Sequence, residues 1–395
     1  MENMQPLTYL KLQNDTIAAF NFDEAICLIY DNARLPIYLR DTLTDTSGLS
    51  IQERYRTSQR NYNRLMGFFS KRTISIDREN AKYVLNALHI SQGNDYDTIQ
   101  KIMFLCKALS VTDDYWITND ENESWNGVNL RENHLTEVIS QIALSGRALT
   151  ITGNIHTPEL TGQGAYAKGW FREPDGLYLY KAGYKNGPES NIECVVSNIL
   201  DRTNVPHVQY FPAVKDGRSV CKCKNMCSND YSIVPTEDVI SWCQHNDVNF
   251  DTFVRKLDSE TFYKTIVVDY LISNRDRHGQ NWGFYMDNHT GELISLHPLY
   301  DHNNAFDVHD MNDSVGGESL MILGKSKKAA AMYAIKRCDF KVGQQIDRSL
   351  FLNSRQYESF TNRMQELGIK ELSKFIPKEQ QIPPLYESRN ALELE

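Results

Sequence analysis

The stretch DYLISNRDRHGQNWGF, residues 269–284, ends an apolar helical run in a polar knot, Asn274-Arg275-Asp276-Arg277-His278, and sets Asn281 five residues past Asp276. A carboxylate can orient a hydroxyl and take its proton. An amide oxygen nearby can help hold a hard divalent cation. Further on, LHPLYDHNNAFD supplies a second carboxylate, Asp301. The intervening GFYMDNHTGELISL reads as a hairpin turning at Asp287-Asn288-His289-Thr290-Gly291, which would carry Asp301 back towards Asn281. Upstream, Lys181 ends the alternating strand LYLYK, and Glu193 lies on the helix that follows. Thr161-Gly162-Gln163-Gly164 precedes that strand, and its glycines would let backbone N–H groups approach an anion. A base, two metal ligands, a fixed cation and a backbone cradle are the parts that phosphoryl transfer needs.

Each part taken singly has a plainer reading. An Asp followed five residues later by an Asn is expected about once in a chain of this length at average usage. Asp301 could be a turn residue before Asn303-Asn304, and a Lys and a Glu are usually two surface charges. Lys185 and Glu189 compete with Lys181 and Glu193. Lys181 is preferred because it ends an alternating strand, and Glu193 because it sits in the apolar-periodic part of its helix. The order is what adds specificity: glycine loop, strand lysine, helix glutamate, then Asp276, Asn281, hairpin and Asp301. Protein kinases use this order, with a catalytic-loop Asp five residues before a metal-binding Asn. His278, next but one to Asp276, reads as a packing and hydrogen-bonding residue that shapes the loop on its nucleotide side. No G-x-x-x-x-G-K-[ST] sequence occurs, which disfavours a P-loop nucleotidase.

The elements that must position these residues follow from periodicity. SNIECVVSNILDRTNV places Ile192, Val195, Val196, Ile199 and Leu200 on one helical face. HVQYFPAV and GRSVCKC read as strands, and IVPTEDVISWCQ opens a helical region. Residues 1–20 read as two short strands around an Asn-Asp turn, and residues from about 50 to 145 as mostly helical. Ser75 or Asp77 is a cap candidate there, Ile99, Ile102, Met103 and Cys106 share a face, and Gly146 is a C-cap. Three units are expected: an N-terminal domain over 1–145, a β-rich lobe over 146–232 and a mainly helical lobe over 233–395.

The 395 residues are 41% hydrophobic and 24% charged, enough for an ordinary core, with a net charge of −9. An acidic chain is a poor candidate for a dominant nucleic-acid binder. No run of about 18 apolar residues suggests a membrane span, and no secretory signal is read at the N-terminus. Eight scattered cysteines suit a reduced, cytoplasmic protein. Cys221, Cys223 and Cys227 cluster, and Cys243 or His245 could complete four zinc ligands. The C-x-C-x3-C spacing fits no common knuckle, so the plainer reading is a strand whose thiols face different ways.

The segments NRDRHGQNWGF and HPLYDHNNAFD, with VVDYLISN leading in and NIECVVSNILDRTNVPHV upstream, resemble the HipA-like serine/threonine kinases, a bacterial family related to the phosphatidylinositol kinases. The resemblance spans about residues 146–345. It implies an α+β, bilobed, protein-kinase-like fold, here behind an additional mainly helical N-terminal domain. It implies ATP and Mg²⁺ as cofactors, Asp276 as the catalytic aspartate, Asn281 and Asp301 as magnesium ligands, and Lys181 as the nucleotide anchor. It further implies a protein substrate with a Ser or Thr hydroxyl, self-phosphorylation in the nucleotide loop at Thr157 or Thr161, and an antitoxin-type partner through which nucleic acid would be met only indirectly. Two alternatives stand beside it: a lipid or small-molecule kinase on the same fold, and a nucleotide-binding pseudokinase serving as a regulatory module. Loss of one of Lys181, Asp276, Asn281 or Asp301 would be expected of the second; all four are present.

Overall fold

The computed structural model describes residues 6–91, 95–147, 151, 155–162, 164–307 and 317–370. Three antiparallel sheets are packed with helices around them. The first sheet holds β1 (Thr8–Leu12), β2 (Asp15–Asn21), β3 (Ile26–Ile29) and β4 (Tyr115–Thr118), in the order β3-β2-β1-β4. Between β3 and β4 run α1 (Ile51–Ser70), α2 (Ala81–Ala87) and α3 (Tyr96–Leu105), and α4 (Glu137–Ser145) follows β4. The β1–β2 turn falls where the sequence places it. The reading of a short β segment followed by a mostly helical stretch lacks β4, whose four residues pair with β1 about a hundred residues earlier.

Local chemistry explains where these helices begin and end. Ser50 and Glu53 form a capping box on α1, and Asp95 caps α3 by accepting the Thr98 N–H at 2.9 Å. Neither Ser75 nor Asp77 caps α2. The Ser75 hydroxyl instead accepts the Asp77 N–H within a turn, and Asn80, in the left-handed region, starts the helix. Gly146 ends α4 at φ +71°, as a C-capping glycine should.

The second sheet, order β5-β6-β8-β7, comprises β5 (Lys168–Glu173), β6 (Gly176–Ala182), β7 (Phe211–Lys215) and β8 (Arg218–Lys224), with α5 (Glu189–Leu200) inserted after β6. α5 buries the five apolar residues named for it. Gly169 on β5 lets α4 come close: a Cβ there would lie 2.6 Å from the Ser140 carbonyl oxygen. Cys221 and Cys223 are two residues apart on β8 and therefore face the same side, where they pack with Cys194, Val208 and Tyr210. This corrects the expectation of diverging thiols for Cys221 and Cys223; the Cys227 thiol, beyond β8, donates to the Thr112 carbonyl. Among the described residues no group of three or more His, Cys, Asp or Glu is placed to hold a metal ion.

The remainder is mainly helical: α6 (Thr236–His245), α7 (Phe250–Leu271), α8 (Lys327–Ala334) and α9 (Ser354–Glu366). The third sheet, β11-β10-β9, lies among them, from β9 (Tyr231–Pro235), β10 (Gly283–Asp287) and β11 (Leu293–Leu296). One apolar cluster joins Leu10, Phe20 and Phe69 to Ile192 and Val196 of α5, and to Phe262, Phe284 and Leu299. Residues of the first 145 thus share packing with both lobes. No helix among the described residues is long and apolar enough to cross a membrane.

Candidate active site

Lys181 sits near the end of β6, opposite Lys168 on β5 and Cys221 on β8. Central position in the sheet and α5 above it bury the ammonium. Its Nζ donates to Glu193 Oε1 and, at 2.7 Å, to Asp301 Oδ1. Glu193 is fully buried, and its second oxygen accepts the His302 N–H at 2.9 Å. Burial opposes every charge here. At Lys181 the two carboxylates outweigh it and hold the ammonium protonated. At Asp301, Lys181, Lys168 and Arg277 outweigh it, and its carboxyl is kept well below the usual carboxylate range. Glu193, wholly enclosed and near Asp301, is pushed up despite Lys181. The competing Lys185 is exposed in a short turn after β6, so the sheet presents Lys181 and not Lys185 to Glu193.

The catalytic-loop candidates follow α7. That helix stops at Leu271, and Ser273, at φ +54°, turns the chain away. Arg277 then locks the loop from beneath. Its Nε and Nη2 clamp Asp269, one turn from the end of α7, at 2.9–3.2 Å. Its Nη1 donates to the carbonyls of Asn281 and Tyr300. A planar guanidinium with a fixed fork of donors can do this; an ammonium has no such fork. One side chain thereby ties Asn281 to the residue before Asp301. The Asn281 amide donates to the Asp276 carbonyl at 2.6 Å, so its side-chain nitrogen is spent inside the loop. Asp276 keeps its carboxylate at the half-buried surface, with Oδ2 accepting from the Asn304 amide at 2.9 Å.

The hairpin brings Asp301 back as its sequence implies. Phe284 pairs with Leu296 across β10–β11, and Asp287 Oδ1 accepts the N–H groups of His289 and Thr290 in the turn. Asp301 itself has φ +58°, the left-handed region that Asp tolerates better than most residues. His278 departs from expectation in one respect. Its Nδ1 accepts the Gln280 N–H and its Nε2 lies 3.5 Å from Asp276 Oδ1, yet the ring is exposed and packs on no core.

The glycine segment lies at the head of β5. Thr161 is half-buried, its hydroxyl donating to the Pro158 carbonyl at 3.1 Å. Gly164 has φ +100°, and a Cβ there would lie 2.8 Å from Lys168 Nζ. Gln163 lies outside the described residues. Two supports escape a sequence reading. Arg78, just before α2, forms a fully buried pair with Glu159 at 2.7 Å, and a Cβ on Gly162 would meet its Nη1. The Glu79 N–H donates to the Ala165 carbonyl at 2.8 Å. Lys168 is the other missed residue: burial, then Arg78 and Lys181, push its ammonium down to about 7. Its position opposite Lys181 in a paired strand is the one signal that could have found it.

Asn281 and Asp301 offer oxygen donors, the kind Mg²⁺ prefers, and Asp301 is held ionised. The donor set fits that ion, which usually takes one or two protein ligands and completes its shell with phosphate and water.

The family comparison meets this geometry at the loop after α7. Residues 201–369 match the HipA-like C-terminal domain. Within the matched residues lie Asp276, Asn281 and Asp301, whereas Lys181, Glu193 and the glycine segment precede them. No curated protein matches. Among solved structures, the Helicobacter pylori proinflammatory kinase CtkA is 14% identical, with a TM-score of 0.37, over 51% of this chain and 89% of its own. HipA from the Shewanella oneidensis MR-1 toxin–antitoxin complex with HipB and operator DNA is 11% identical, with a TM-score of 0.49, over 92% of this chain and 98% of its own. The fold is α+β as expected, a sheet-and-helix lobe ahead of a mainly helical one.

Proposed function

We propose that this chain transfers the terminal phosphoryl group of ATP to a Ser or Thr hydroxyl of a protein, in the presence of Mg²⁺. The observation that carries this reading is the double engagement of Lys181 by Glu193 and Asp301. A lysine fixed between a helix glutamate and a metal-site aspartate is positioned to neutralise nucleotide phosphates. Asp276 would orient the acceptor hydroxyl and take its proton as the bond to phosphorus forms. Asn281 and Asp301 would hold the cation, which when bound neutralises charge on the phosphate oxygens. Arg277 keeps those three residues in register by binding the backbone on both sides of the hairpin. The glycine segment, braced by Arg78 and Glu159, would present backbone N–H groups to phosphate.

The test is incubation with γ-labelled ATP and Mg²⁺, using Asp276→Asn as the control and following label on the chain itself, on a generic protein substrate and on lipid. Label on protein that disappears in the variant supports the proposal. Full activity of the variant removes Asp276 from its role. Label on lipid alone would identify a lipid kinase, and bound ATP without transfer would identify a binding module.

A further inference from the structure

Tyr166 lies between Gly164 and the start of β5, on the glycine side of the cleft, and is half-buried. Its hydroxyl donates to Asn304 Oδ1 at 3.4 Å. The amide nitrogen of the same Asn304 donates to Asp276 Oδ2 at 2.9 Å. Three separate segments therefore meet in one chain of hydrogen bonds: the loop before β5, the segment after Asp301, and the catalytic loop. Asn304 has a fixed seat for this, because the Ala305 N–H is held by the His302 carbonyl and the Phe306 N–H by the Ile272 carbonyl.

The two contacts on Asn304 reinforce each other. A carboxylate oxygen accepts only, so it demands the amide nitrogen; the opposite edge then presents a carbonyl oxygen, which demands a donor. Tyr166 supplies that donor. Turning the amide over would set two oxygens against each other at Asp276 and lose that contact, while the Tyr166 hydroxyl would have to accept in place of donating. With Oδ2 held this way, Asp276 Oδ1 is left towards the exposed His278 ring, on the side open to solvent. That oxygen, with the His278 ring 3.5 Å away, is the one placed to receive an acceptor hydroxyl.

We infer that Tyr166 and Asn304 are positioning residues, a strap across the cleft that couples the glycine segment to the orientation of Asp276. The inference rests on the kinase reading of Asp276. The Tyr166 hydroxyl fixes the Asn304 amide, and the Asn304 amide in turn fixes the direction of the Asp276 carboxylate. Neither residue touches the reacting atoms, so their removal acts through the aim of Asp276 and chiefly on turnover.

The experiment compares wild type, Asn304→Leu, Tyr166→Phe and the double variant in steady-state phosphate transfer. Asn304→Leu is expected to lower kcat about 10- to 100-fold with the KM for ATP within about twofold, short of the full value of a general base. Tyr166→Phe keeps the ring and should cost less, about 2- to 5-fold, and the double variant should be no worse than Asn304→Leu because the two act in series. Wild-type kcat in Asn304→Leu, or losses that multiply in the double variant, would overturn the strap. Hydrogen exchange of the amides of residues 164–167 gives a readout that needs no activity. Faster exchange there in Asn304→Leu and Tyr166→Phe is expected, and unchanged exchange in both overturns the coupling. If wild type transfers no phosphate, the kinase reading fails and this exchange measurement alone decides the strap.

Discussion

Lys181 Nζ lies 2.7 Å from Asp301 Oδ1, joining the second strand of one sheet to the segment that follows the β10–β11 hairpin, 120 residues later. The same ammonium holds the enclosed Glu193. Lys181→Met should reduce phosphate transfer by roughly 10²–10³-fold, the usual cost of removing a fixed charge at a transferring group. It should also leave Glu193 buried without its cation. Glu193 would then stay protonated in the folded chain to a higher pH than in the unfolded one. A carboxyl whose folded pKa is raised contributes stability below its unfolded value, about 4.3, and loses it as pH rises. Thermal denaturation between pH 5 and 9 should show a deficit relative to wild type that grows with pH. A deficit independent of pH would place the Glu193 charge elsewhere.

Much of this site is legible in the chain because its parts obey local rules. The alternation of β6 puts Lys181 in a buried strand, the helical periodicity of α5 carries Glu193 inward, and the turn chemistry from Asp287 to Gly291 foretells the hairpin that returns Asp301. What stayed hidden depends on pairing across long separations. β4 is four residues whose partner lies at the start of the chain, and β9 pairs with a strand about fifty residues on. Arg78 reaches Glu159, just ahead of the glycine segment, across 81 residues, and its charge is unremarkable until Glu159 is buried beside it. Tyr166 and Asn304 are ordinary loop residues until the fold places Asp276 at the end of their hydrogen bonds. Register and burial of that kind are properties of tertiary packing and leave no periodic trace.

Lys168 gives the site a pH dependence near neutrality. Burial, with Arg78 and Lys181 nearby, lowers its folded pKa to about 7. A lysine whose folded pKa is depressed is penalised in full below that value, where both states are protonated. The penalty is relieved as pH rises from about 7 towards the unfolded value near 10.4. Phosphate oxygens placed against it would favour the ammonium, so nucleotide binding should take up a proton and weaken between pH 7 and 9. Calorimetric titration with ATP in two buffers of different ionisation enthalpy measures that uptake. Lys168→Met should abolish it, and equal uptake in the variant would assign the proton to another group.

Self-phosphorylation, if the chain performs it, should favour Thr161 over Thr157. Thr157 is 2% exposed and its hydroxyl accepts the Glu159 N–H at 3.2 Å, whereas Thr161 is half-buried in the glycine segment. Phosphopeptide mapping after incubation with ATP and Mg²⁺ should find most loop phosphate on Thr161. Thr161→Ala should remove that phosphate and Thr157→Ala should spare it. Phosphate on Thr157 alone would require the loop to open before transfer.

Arg277 should prove as important to the fold as to the reaction. It is 3% exposed and binds the Asp269 carboxylate through two nitrogens while its third holds the carbonyls of Asn281 and Tyr300. Arg277→Met would leave the buried Asp269 carboxylate without this guanidinium, held by the Asn274 amide at 2.9 Å, a loss of about 3–5 kcal/mol for breaking one side of a buried pair. Denaturant unfolding of Arg277→Met and of Arg277→Met with Asp269→Leu separates charge from packing. The double variant should recover part of the stability, since no uncompensated carboxylate remains. It should not recover phosphate transfer, because the tie between the residues flanking the hairpin is still missing and Asn281 is no longer held beside Asp301. Conversely, Arg277→Lys keeps the charge but not the fork, and should retain more stability than Arg277→Met while losing most of its activity. If Arg277→Lys transfers phosphate at the wild-type rate with an unchanged Mg²⁺ requirement, charge alone suffices and the positioning role of the guanidinium is wrong.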